Sequence, residues 1–181
     1  MIVWLSTSTI SRLRDQLRTQ GQKPSVVASA AAATPDAAEA INLAIEYGPL
    51  CEAMYLMMSA DGNVTDDERE VLRGALRNLS DQRLRSAQIE QMLDSAARKA
   101  ASHGRKERMD DICVTLREDP ARAEVAFILA AAIAFADNQI ADAENELLND
   151  LAEGLEIGEE RANELLDSVE EDLKSGIGAS A

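Results

Sequence analysis

The 181-residue chain is poor in the residue types that most catalytic and metal chemistry draws on. It has a single histidine, His103, so no Ser-His-Asp or Cys-His constellation can be built around more than one ring, and no glycine-rich phosphate loop is present. Without a nucleophile and base in reach, the chain does not read as an enzyme. Its two cysteines, Cys51 and Cys113, stand singly in helical patterns. That spacing excludes a disulfide framework or a zinc set and reads as small buried apolar residues in a reducing compartment. Aromatics make up only 3%, and the alternating β-branched and aromatic runs that mark strands are missing. The apolar run over residues 125–136 is too short to span a membrane. The opening Met1-Ile2-Val3-Trp4-Leu5 turns polar at once, unlike a signal peptide. A cytoplasmic setting without stable membrane insertion is expected.

What remains is a core of small and aliphatic residues, since hydrophobic content is still 46%. Such a core suits closely packed helices, and the expected class is all-α, with seven to eight helices in one domain. The net charge of −15 is unevenly spread. Residues 1–35 hold Arg12, Arg14, Arg18 and Lys23 against Asp15, so they carry +3 and the remainder −18. Duplex phosphate is repelled by such a body, which excludes direct nucleic-acid binding and favours cations or basic protein surfaces as partners.

The periodicity divides the chain into residues 1–35, a basic helix and an Ala/Ser/Pro linker; 36–175, a helical domain; and 176–181, a flexible tail. Ile10, Leu13 and Leu17 mark an amphipathic helix over 6–20 that docks on the acidic body, touches a membrane or stays a mobile arm; opposite charge nearby favours docking. Gly48-Pro49 predicts a break between helices 36–47 and 49–60, the second with Leu50, Ala53, Met54, Met57 and Met58 inward. Further helices are expected over 66–79, around Ile89 to Ala100 and around Met109 to Leu116. Asp119-Pro120 should cap and open a helix over 120–136 that is apolar all round and therefore central. Helices over 142–155 and 159–173 complete the pattern. Arg98, Lys99, His103, Arg105, Lys106 and Arg108 form the body's one basic cluster, readable as an anion site or as helix C-terminal capping.

One stretch occurs twice. Ala60-Asp61-Gly62-Asn63-Val64-Thr65-Asp66-Asp67-Glu68 returns 76 residues later, without a gap, as Ala136-Asp137-Asn138-Gln139-Ile140-Ala141-Asp142-Ala143-Glu144. Each copy follows an apolar run and leads into a charged helical pattern, so the chain is expected to consist of two pseudo-repeated halves, each helix, acidic loop, helix. An EF-hand is excluded, because its first ligand positions would fall on Met57 and Ser59, or on Ile133 and Phe135. What survives is a set of carboxylates, Asp61, Asp66 and Glu68 with Asp137, Asp142 and Glu144. Hard oxygens of this kind suit Ca²⁺, Mg²⁺ or Mn²⁺, and a pseudo-two-fold packing would bring the two copies onto one ion. The competing reading is local: Thr65-Asp66-Asp67-Glu68 is a capping box, and Asp61-Gly62 an ordinary turn.

These same residues resemble the TerB-like family of tellurite-resistance proteins, over about residues 40–173. The resemblance implies an all-helical fold, a role in a bacterial stress-response complex with protein partners, and a cation site at Asp61 and Glu68, then Asp137 and Glu144. Asn138 departs from the glycine more usual at its position. Two functions follow, a divalent-cation-binding module of stress or tellurite resistance, and an acidic protein-interaction scaffold whose loops are purely structural.

Overall fold

A computed structural model describes residues 5–19, 35–136 and 142–178. Among these residues there are eight α-helices and no strand: α1 (Thr7–Thr19), α2 (Pro35–Met58), α3 (Asp66–Leu79), α4 (Ser86–His103), α5 (Arg105–Leu116), α6 (Pro120–Ala134), α7 (Asp142–Gly154) and α8 (Glu159–Gly178). The expected all-α class is the observed one. The linker over 22–34, Asp137 and the rest of the second acidic loop, and the last three residues lie outside the described residues.

The centre is a pair of helices. α6 begins where Asp119 accepts the backbone N–H groups of Ala121 and Arg122, with Pro120 in the first turn. Every residue from Val125 to Ala134 is buried, and α1, α2, α5, α7 and α8 surround it. A helix without a polar face is stable only when wrapped in this way. α2 shares the centre, packing on α3, α4, α5, α6 and α7. Its second half is as apolar as α6, and Met54, Met57 and Met58 are core filler rather than a surface stripe.

The expected break at Gly48-Pro49 does not occur; α2 runs straight through, with Pro49 inside it. Proline removes one N–H from the helical ladder and crowds the preceding turn. The Arg122 guanidinium of α6 donates to the carbonyl of Glu46 in that turn, supplying a partner from outside the helix. The carbonyl that loses its helical partner to Pro49 is that of Ile45, one residue earlier, and it is the packing of α2 among α3, α4, α5, α6 and α7 that overrides the local rule. α8 likewise continues past Leu173 to Gly178, into the stretch assigned to a tail.

α1 is docked rather than free. Leu5, Ile10 and Leu13 are buried, and the helix lies against α3 and α6. Ser6 caps it by accepting the N–H of Thr9, and is itself held by Asp172 of α8 through its N–H and hydroxyl.

Charge stitches the periphery. Arg69 of α3 bonds Glu90 and Asp94 of α4, and Arg73 bonds Glu90. Arg161 of α8 holds Glu124 of α6 through two bonds. Hydrogen bonding from Arg69, reinforced by Arg73 and opposed by partial burial, holds the Glu90 carboxyl below its ordinary range; Arg161 does the same to Glu124. A carboxyl depressed in the folded state stabilises above its unfolded pKa of about 4.3, and loses that contribution as pH falls through the lower folded value. Urea titrations between pH 3 and 6 should therefore show stability falling below about pH 4.3. The fall should be shallower in Arg69→Met/Arg161→Met.

Close packing has a single clear pinch point. A Cβ on Gly154, at the end of α7, would stand 2.7 Å from the Sγ of Cys113 on α5 and 3.1 Å from its Cβ. Gly154 is thus the residue that lets α7 approach α5. Gly154→Ala should lower stability by about 1–3 kcal/mol through overpacking, in spite of alanine's better helix propensity. The loss should shrink in a Cys113→Ala background, as read by a double-mutant cycle in urea.

Candidate functional site

The first acidic loop is shaped largely by hydrogen bonds between its own side chains and its own backbone. After α2 the chain tightens into a 3-10 turn over Ser59–Asp61, closed by the Gly62 N–H on the Ser59 carbonyl at 3.0 Å. Gly62 has φ +108°, which a side chain rarely tolerates, so glycine is required there. Thr65 then caps α3: its Oγ1 accepts the Glu68 N–H, while Glu68 Oε2 accepts the Thr65 N–H at 2.7 Å and its hydroxyl at 2.8 Å. This is a complete capping box. Asp61 Oδ1 accepts the N–H of Asn63. Two of the carboxylates with metal-ligand chemistry are thus engaged in shaping the turn, and Asp61 and Asp66 are exposed.

In the second copy, Asp137 lies outside the described residues. Asp142 and Glu144 sit in the first turn of α7, Asp142 exposed and Glu144 half-buried. α7 packs against the Ser59–Asp61 turn, so the two copies are neighbours in space. Among the described residues no group of three or more His, Cys, Asp or Glu side chains is gathered as a metal cage would require.

Of the basic cluster, Arg98, Lys99, His103 and Lys106 are exposed, while Arg105 and Arg108 are half-buried and turned inward. Arg105 donates to the carbonyls of Ser59 and Ala60, fastening α5 to the end of the first loop. His103 sits with Nδ1 3.3 Å from the Lys99 carbonyl, at the end of α4. Arg108 holds Glu52 of α2 through Nε at 2.7 Å and Nη2 at 3.1 Å, and reaches Asp111 with Nη1 at 2.6 Å. Hydrogen bonding to Glu52 raises the Arg108 pKa further. Glu52 is only 5% exposed, and Lys99 lies 3.5 Å from its second oxygen.

This ion pair forms one end of a groove that sequence reasoning missed. The groove lies between α2, α4 and α5, holds about 620 Å³, and is floored by Leu84, Met92, Ala96 and Ile112. Gln88, Gln91 and Ser95 of α4 edge one side, and Ala44 and Ile45 of α2 the other. Ile45 is 60% exposed, and Ile41, one turn earlier, 53%. Those two isoleucines, four residues apart and outside the buried stripe of α2, were the only signal available from sequence. Volume, apolar floor and a few polar side chains are the general features of a binding groove between helices.

Breaking the pair at its end should be costly. Arg108→Met leaves a buried carboxylate with Lys99 alone, and should destabilise by about 3 kcal/mol or more. The double variant Glu52→Leu/Arg108→Met, which removes both charges, should recover most of that loss in urea unfolding.

No curated protein and no solved structure matches the chain significantly. The family model described as tellurite resistance protein TerB matches residues 50–167. That span runs from the buried half of α2, through both acidic copies and the central α6, into α8. It takes in well over half of the chain, and the chain belongs to the TerB family.

Proposed function

We propose that the chain is a non-catalytic TerB-family module that binds protein partners in a bacterial stress or tellurite-resistance complex, with its acidic loops serving as structure. The observation that carries this reading is the open groove between α2, α4 and α5, lined by the exposed Ile45, with exposed Ile41 one turn earlier on the same helix. Exposed isoleucines beside a concave apolar floor are what a partner surface offers. The family's description supports the resistance setting. Two free, buried cysteines support a cytoplasmic one; burial pushes the Cys51 thiol up to about 12 and the Cys113 thiol to about 11, so neither is poised to react.

A second reading, a Ca²⁺, Mg²⁺ or Mn²⁺ site, is favoured by one observation. Asp142 and Glu144 lie in the first turn of α7, a helix that packs on the Ser59–Asp61 turn. Such a site would draw on Asp61, Asp66 and Glu68 together with Asp137, Asp142 and Glu144.

Thermal unfolding of EDTA-stripped protein, with each cation added at matched ionic strength, separates the two. The scaffold reading expects no shift. A cation at a hundred times its dissociation constant would add about 2.7 kcal/mol, a shift of roughly 5–10 °C for a chain of this size. Such a shift, lost in Asp61→Asn, would overturn the scaffold reading. The variant is informative because an amide oxygen can still accept the Asn63 N–H, so Asp61→Asn should be near neutral without metal. Glu68→Gln should cost only about 0.3–1 kcal/mol in either case, since its amide oxygen can still close the capping box and only the charge at the helix N-terminus is lost.

A further inference from the structure

The family match begins at residue 50, yet the family body carries a helix that lies outside it. α1 sits between α3 and α6, and the seat has an acidic group at each end. At the helix start, where the backbone dipole is positive, Asp172 of α8 accepts the Ser6 N–H at 3.0 Å and the Ser6 hydroxyl at 2.8 Å. At the other end Asp81 accepts Arg14 on Oδ1 at 3.1 Å and Arg18 on Oδ2 at 2.9 Å. Asp81 and the following Gln82 both have positive φ, +56° and +63°, so the chain holds an unfavourable loop conformation where Asp81 meets the two arginines. Between these ends Ile10 and Leu13 fill an apolar trough, Leu13 with no exposure at all. The seat is complementary to one kind of object, a basic amphipathic helix.

α1 fits that description without being optimised for the place. It is 13 residues long, a length at which an isolated helix is marginal in water. Its ion pairs to Asp81 are solvent-exposed, with Arg18 54% and Asp81 49% open, and exposed pairs are weak and salt-sensitive. The Nε of Arg14 is buried without a hydrogen-bond partner, so the present occupant leaves one polar group unsatisfied. Its advantage is covalent: tethering through residues 20–34 gives an effective concentration on the order of millimolar.

We propose that the α1 seat is a docking surface for a basic amphipathic helix of a partner protein, and that α1 fills it in cis until such a helix displaces it. This rests on the reading of the chain as a binding module, and names a surface and a partner chemistry for it. The partner helix would carry aliphatic residues at i, i+3 and i+7, as Ile10, Leu13 and Leu17 do, with arginines in its last turns.

The test uses the full chain and a fluorescein-labelled synthetic peptide with the sequence of residues 5–19. Leu13→Asp weakens α1 in cis and leaves the seat untouched. The peptide should then bind the variant at least about tenfold more tightly than it binds the wild type, by anisotropy at low salt. Adding Asp81→Asn to Leu13→Asp should weaken that binding several-fold, as should high salt, because the exposed pairs are lost. Ile10→Asp serves as a second opening variant, and circular dichroism establishes that each variant is folded. Equal binding to wild type and both folded variants would overturn the proposal. So would unfolding of both variants, which would make α1 a permanent part of the core. A wild-type dimer that Leu13→Asp converts to monomer would also overturn it, since the occupant would be α1 of a second copy. The cation experiment does not involve α1, so failure of the seat and failure of the binding-module reading are read separately.

Discussion

A helix with no polar face must be covered on every side, and α6 imposes that requirement on the whole chain. Residues 125–134 are buried without interruption, and five other helices supply the cover. The first is α2, whose second half is just as apolar, so the two pair as the axis of the molecule. Once that pair is fixed, α3, α4, α5, α7 and α8 need only one apolar stripe each, and their outer faces are free to carry charge. The charged residues of the chain are accommodated by this division. Aliphatic burial carries the fold, and acidic residues occupy the surface that remains.

Glu52 is the exception within that axis. It lies in the most apolar part of α2, and only its bidentate bond to Arg108 makes the position tenable. A well-packed leucine there would fold at least as readily, so the pair is weak evidence for stability. It acts instead as a geometric constraint, since the two bonds from Arg108 of α5 to Glu52 of α2 tie the helices together at that point. The same helix brings Arg105 onto the carbonyls at the end of the first acidic loop. α5 is thus positioned by two arginines as well as by its buried stripe of Met109, Ile112, Cys113 and Leu116.

Most of the helices were legible in the sequence because their signals are local. Asp119-Pro120, Thr65 with Glu68, and the apolar run of α6 each act within a few residues. What was not legible depends on partners distant in the chain. Pro49 reads as a break until α2 is packed among α3, α4, α5, α6 and α7, which come later in the chain. Gly154 reads as an ordinary helix end until Cys113 stands against it. The groove could not be read at all, because a concavity is a property of three helices and not of any one. At the acidic loop the sequence offered two explanations for the same residues. The geometry of Glu68 favours the capping one, with Oε2 bonded to both the N–H and the hydroxyl of Thr65.

The groove and the seat of α1 both involve residues ahead of the family match. Residues 50–167 take in the central pair of helices and both acidic copies. One wall of the groove is made by Ala44 and Ile45, in the first half of α2, ahead of that span. The trough between α3 and α6 is filled by α1, which is also ahead of it. The family-wide body therefore provides the scaffold, with its helix caps and its wrapped core, while segments that precede it shape both faces a partner could reach. On the reading proposed above, recognition by this chain is set at those edges. The acidic loops then have a simpler task, which is to turn an apolar helix sharply into an amphipathic one without leaving its last carbonyls and first N–H groups unsatisfied.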